Sequence, residues 1–207
     1  MNRSSLRMYK SIQIPWSASP SKAESTYRSA GLVRTQGTIF MLPPERDTLI
    51  QAFETPPRPK TRSSSGAVAL CKHFERGGAS SEHGKAHPFW PLPTGSNDNK
   101  TRLAAATRDQ MLDDLAWKNV MLLHPGVAVY EVRNSLGYGM RWTLDVEDDT
   151  SKSEDTSPSD SRPTSTNSGL ADEDAEKKRT INKVTFRGFL EPIIGMDDEL
   201  PQHTSKE

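Results

Sequence analysis

The chain has 207 residues, a third of them hydrophobic, and its 27 basic and 27 acidic side chains cancel to a formal net charge of zero. No run of about 18 apolar residues and no charged-then-apolar leader occurs, which argues against membrane spanning and secretion. Cys71 is the only cysteine, so an intramolecular disulfide and a four-cysteine zinc site are excluded and an intracellular address is favoured.

Leu, Ile, Val and Phe number 37, and 24 of them fall in residues 66–147 and 180–195, so one small folded unit is expected in a chain whose remainder lacks core-forming residues. The zero net charge hides two opposed blocks. Residues 1–62 carry ten Lys/Arg against four Asp/Glu, whereas residues 145–176 carry eleven Asp/Glu against two Lys/Arg. The expected organisation is a mostly disordered basic region over 1–62, the first part of an α+β domain over 63–147, a disordered acidic insert over 148–182, a last strand over 183–195 and a disordered tail over 196–207. Arg3, Arg7, Lys10, Lys22, Arg28 and Arg34 sit among serines with Glu24 as the only acid, the composition of a mitochondrial presequence; an ordinary basic tail, in a cytoplasmic or nuclear protein, is the preferred reading.

In chain order, Asp47 to Glu54 has room for two helical turns before Pro56 and Pro57 end them. Ser63, Ser64 and Ser65 offer an N-cap for a helix over Ala67 to Phe74, and Gly77 and Gly78 stop it. A loop rich in Gly, Pro, Ser and Asn follows to Asn99, in which His87, Phe89 and Trp90 argue for order; Phe89-Trp90-Pro91-Leu92-Pro93 reads as a staple to the core. Lys100 to Leu123 reads as the main helix, because Leu103, Thr107, Met111, Leu112, Leu115 and Leu122 recur at spacings of three, four and seven.

Two strands are expected next, Val127 to Arg133 and Gly137 to Glu147. A three-residue loop of Asn134, Ser135 and Leu136 would pair Val132 with Tyr138, Tyr130 with Met140 and Ala128 with Trp142, leaving Glu131, Arg133 and Arg141 on the other face. A third strand over Lys183 to Pro192 would put Val184, Phe186 and Leu190 on one side and Thr185, Arg187, Phe189 and Glu191 on the other. The fold expected is therefore α+β, a three-stranded antiparallel sheet covered by one long helix. Closing the acidic insert between strands two and three costs on the order of 3 kcal/mol, which a sheet tolerates. Ser151 and Ser157 each have an acid three residues later, a spacing that suits phosphorylation.

The densest cluster of reactive side chains is Cys71, His73, Arg76, Ser80, Ser81, Glu82, His83 and His87. His73, His83 and His87 are the candidate metal ligands, zinc being the metal such donors would take, but Gly84 and Pro88 oppose the helix that would bring His83 and His87 together. No cofactor is expected by preference. His83, His87, Glu82 and Cys71 are the candidate catalytic groups, with Cys71 or Ser81 as nucleophile, although no nucleophile elbow or cysteine-protease signature surrounds them. The stretch Thr94 to Thr101 lacks the glycines of a phosphate loop, which leaves Lys100 beside a helix start as an anion contact, with a plain N-cap by Asn97, Asp98 or Asn99 the preferred reading. Arg133, Arg141, Arg187 and Phe189 would share a sheet face, and Arg187-Gly188-Phe189 echoes the start of an RNA-binding sheet motif that Leu190 and Glu191 break.

The function expected is a non-catalytic module that binds a protein partner through Arg76, His83, His87, Lys100, Arg133, Arg141 and Arg187, with its disordered segments regulatory. A small metal-dependent or His-assisted enzyme is the alternative, weak RNA or anion binding by the arginine face a further one, and no membrane contact is expected.

Overall fold

A computed structural model describes residues 14–76, 87, 89–124, 126–148 and 179–192 of the protein. Among these are four helices, α1 (Lys22–Ser29), α2 (Arg46–Glu54), α3 (Ser65–Arg76) and α4 (Asn97–Asp113). They precede four strands, β1 (Trp117–His124), β2 (Val127–Arg133), β3 (Gly139–Asp148) and β4 (Arg179–Leu190), which form one antiparallel sheet in sequence order. The class is α+β, as expected, but the sheet has a fourth strand, and α1 precedes the two short helices read over Asp47 to Glu54 and Ala67 to Phe74. No helix among the described residues is long and apolar enough to cross a membrane.

The fourth strand comes from the carboxyl half of the expected long helix. Helix α4 starts one residue after Ser96, whose hydroxyl accepts the Asn99 N–H, and stops at Asp113; the chain then runs as β1 along β2. Leu115 and Leu122, which completed the helical period, are exposed. Val120, within that segment, is fully buried against Tyr130 of β2. Cross-strand pairing of this kind overrides a pattern that fits a helix only because apolar runs are ambiguous.

The β2–β3 register also differs. Val132 pairs with Met140, Tyr130 with Trp142 and Ala128 with Leu144, two residues along from the expected pairs. The connection is longer than three residues because Asn134 organises it: its side-chain oxygen accepts the N–H groups of Leu136 and Tyr138, and its backbone N–H donates to Tyr138. Gly137 takes the positive φ that this turn needs. A slip of two preserves which face each side chain occupies, so the apolar face stays as expected. In β4 a bulge at Arg187 places Gly188 opposite Arg141 and Phe189 opposite Met140, turning Phe189 onto the apolar face with Val184 and Phe186 instead of opposite them.

Helices α2 and α3 pack on that apolar face at β4, and α4 packs on α3 and adds Ala104, Met111 and Leu112 to the same core. Phe53 of α2 packs against Phe186 and Phe189, with ring centroids 4.6 and 6.0 Å away, and the Trp142 indole N–H donates to the Leu49 carbonyl at 3.2 Å. Helices α2 and α3 meet at Gly66, where a β-carbon would collide with the Phe53 ring. Ser64 caps α3, its hydroxyl accepting from the Ala67 N–H.

The expectation of a mostly disordered region over 1–62 is overturned for residues 14–62. The chain from Val33 to Ile39 is hydrogen-bonded along β1 through Val33–Lys118, Ile39–Val120 and Gly37–Leu122 backbone contacts. Tyr27, Leu32 and Ile39 join the core. The Tyr27 hydroxyl accepts the Val120 N–H at 2.7 Å and donates to the Asn119 side chain, and Asn119 in turn donates to Thr35 at 2.7 Å. Burial pushes the Tyr27 hydroxyl well above the usual tyrosine range. This pairing covers the β1 edge, which would otherwise invite association. Residues 1–13, the body of the acidic insert and the tail from 196 lie outside the described residues; at the insert's expected ends, Asp148 and residues 179–182 are strand, with Asp148 paired to Arg179.

Candidate functional site

One end of the sheet gathers the chemistry. It consists of the β2–β3 turn, the end of β4, the C-terminal half of α3 and the chain from His87 to Pro93. Glu191, one residue past β4, is its centre. A single carboxylate oxygen lies 2.6 Å from His73 Nε2, accepts the Trp90 indole N–H at 2.9 Å and stands 3.6 Å from His87 Nε2. The rings interlock around it. Trp90 is 1% exposed and lies edge-on to His73, Phe89 and Tyr138, while Phe89 stacks on Tyr138 with centroids 4.2 Å apart and planes 6° from parallel. Burial pushes the Tyr138 hydroxyl up, and the Glu191 charge adds to the shift.

The bonds of His87 fix its tautomer. Nδ1 accepts the backbone N–H groups of Phe89 at 3.1 Å and Trp90 at 2.9 Å. A nitrogen that accepts two N–H groups carries no hydrogen, so the ring hydrogen sits on Nε2, facing Glu191. A zinc ligand needs one ring nitrogen, Nδ1 or Nε2, with its lone pair free, whereas in His87 the Nδ1 lone pair is taken up by two backbone N–H groups and Nε2 carries the hydrogen. His73 and His87 thus converge, but in the geometry of a staple; among the described residues no group of three His, Cys, Asp or Glu is placed to hold a metal ion. His83 and Glu82 lie outside the described residues, as does the side chain of Arg76. Cys71 is half-buried on α3 and unbridged.

A second charged centre occupies the face of the sheet opposite the helices. Glu131, 2% exposed, receives Arg133 on one carboxylate oxygen at 2.8 Å and Arg141 on the other. Arg133, equally buried, also donates to the carbonyls of Gly137 at 2.6 Å and Glu191 at 3.0 Å. Both arginines are thereby engaged within the fold, and Arg133 links the turn and the end of β4 to β2. Arg187 is exposed at its bulge, Phe189 faces the helices, and Lys100 lies in the first turn of α4. The sheet therefore does not gather Arg133, Arg141, Arg187 and Phe189 into one free face.

Among the described residues, three of the five exposed large apolar side chains stand at this same end: Leu136 at the tip of the β2–β3 turn, Leu115 just before β1, and Leu92 two residues beyond Trp90. Asp114 and Ser135 face each other between the first two, 3.4 Å apart. An open depression among the described residues is lined by Asp47, Ile50, Gln51 and Glu54 of α2 and by Thr55 at its end, and no histidine lines it. Sequence reasoning missed Glu191 as the centre; its partners lie 118 and 101 residues away, and a lone acid before a proline carries no local signal.

No family model matches the chain, and no curated protein or solved structure is significantly similar to it.

Proposed function

We propose that the domain is a non-catalytic interaction module that docks a protein partner on the leucine-bearing end of its sheet. The observation that carries this reading is that Leu92, Leu115 and Leu136, at 55%, 37% and 61% exposure, lie in segments that meet at one end of the sheet, through the Ser135–Asp114 and Trp90–Tyr138 contacts. Apolar side chains brought together at one end of a fold mark a contact surface, whereas single ones are ordinary. The tightly interlocked rings of Trp90, Phe89 and Tyr138 give that surface a rigid backing, which lowers the ordering cost of association. His73 and His87 support the same reading, because their bonds to Glu191 and to the Phe89–Trp90 backbone hold the loop that carries Leu92.

The test is site-specific photocrosslinking in cells, with the reactive residue at position 136 and, as a control at the other end of the sheet, at position 122. The expected result is a discrete protein adduct at 136 alone, lost when Leu92 and Leu115 are changed to Asp. Equal adducts at both positions, or a substrate turnover that disappears on His87→Ala, would overturn the proposal.

A further inference from the structure

The connection between α2 and α3 is a closed loop, exposed from Thr55 to Lys60 and at Arg62, whose charged residues are all basic. Its ends are pinned, since the Thr55 carbonyl accepts both the Ser65 N–H at 3.1 Å and the Ser65 hydroxyl at 2.7 Å. At its tip the Thr61 N–H donates to the Arg58 carbonyl at 3.1 Å, with Pro59 and Lys60 as the central pair and Lys60 at φ 73°. That is a type II turn with lysine where glycine or asparagine is preferred. Lys60 is the one non-glycine residue with positive φ among the described residues. Arg58, Lys60 and Arg62 are all exposed, and none has an ion-pair partner there, whereas Arg34, Arg46, Arg108, Arg133 and Arg141 each do. The nearest acid along the chain, Glu54, is committed to Arg108 at 2.8 Å.

Three cations within five residues, with no ion-pair partner among the described residues, repel one another, and the left-handed lysine adds backbone strain; both costs are offset when a multivalent anion sits among the three. We propose that this loop binds a phosphorylated serine or threonine side chain of a polypeptide partner, with Arg58 and Arg62 donating to phosphate oxygens and Lys60 adding charge. The shape of the loop selects among anions. A cluster turned back on itself suits one compact dianion better than an extended backbone, and residues 55–65 hold no aromatic ring on which a base would stack. They also hold no large apolar side chain to enter a lipid surface, and the turn interrupts the extended path that a proline-reading groove requires. The proposal is independent of the leucine surface, which lies elsewhere on the fold.

The test uses the full chain and a short fluorescein-labelled Gly/Ser peptide bearing one phosphoserine, read by anisotropy, beside the unphosphorylated peptide, a short single-stranded oligonucleotide and phosphatidylserine vesicles. The expected result is binding of the phosphopeptide alone, weakened about tenfold or more in Arg58→Ala/Lys60→Ala/Arg62→Ala. These side chains are exposed, so the variant is expected to melt as the parent does. Equal phosphopeptide binding by parent and variant, equal binding of the unphosphorylated peptide, or tighter binding of the oligonucleotide or vesicles that the triple change abolishes would each overturn it.

Discussion

Thr143, half-buried on β3, holds a buried hydroxyl oxygen with no hydrogen-bond partner among the described residues. Such a group retains the cost of leaving water without the return of a bond, about 1–3 kcal/mol. Thr143→Val keeps the β-branched shape and removes the unpaired oxygen, so it is expected to raise stability by about 1 kcal/mol in urea titration. A fall of that size would mean that the hydroxyl is bonded after all. Glu191 is the opposite case, one oxygen serving two donors at once. The histidines that meet there were visible in the sequence as a cluster, because reactive residues close in number stand out. Their acceptor was not visible, since only tertiary packing brings the end of β4 to α3 and to Trp90.

At the scale of elements, the Glu131 carboxylate fastens β2 to β3 through Arg141 and reaches the turn and the end of β4 through Arg133. Removing one partner of a buried charge cluster leaves the others uncompensated. Glu131→Gln is expected to cost on the order of 3 kcal/mol, read as a lowered urea midpoint, and an unchanged midpoint would contradict the clamp. The elements legible in the sequence were those with chemical punctuation: α2 stops before Pro56, and α3 starts after the serines that cap it. The junction of α4 and β1 has no glycine or proline. Asp114 ends the helix in an unremarkable backbone conformation, so the leucine spacing carried the helical reading through a strand. In the β2–β3 hairpin the faces were legible and the register was not, because alternation fixes parity whereas the Asn134 turn fixes length.

For the whole molecule, the core reaches well into the amino-terminal region. Tyr27, Leu32 and Ile39 have no regular spacing, so no periodicity announced them; they are core because the segment that carries them pairs along β1. Two core tyrosines give the assembly an alkaline limit. Burial raises Tyr27 above its ordinary value and pushes Tyr130 up to about 12. A raised folded value means stability that is fully present below the unfolded value of about 10 and is lost as pH rises through the folded one. The melting temperature is therefore expected to fall above about pH 10, and Tyr130→Phe to make the fall shallower. Identical slopes in parent and variant would show that Tyr130 is not held neutral by the core.

The central proposal is that His73 and His87 act as a staple, their bonds to Glu191 and to the Phe89–Trp90 backbone holding the loop that carries Leu92. Imidazole 15N spectra of the full chain at mildly alkaline pH, with and without added zinc, test it most directly. The expected result is a His87 ring with its hydrogen on Nε2 and a bare, accepting Nδ1, unchanged by zinc. A His87 with its hydrogen on Nδ1, or resonances of His73 and His87 that move together as zinc is added, would contradict the account.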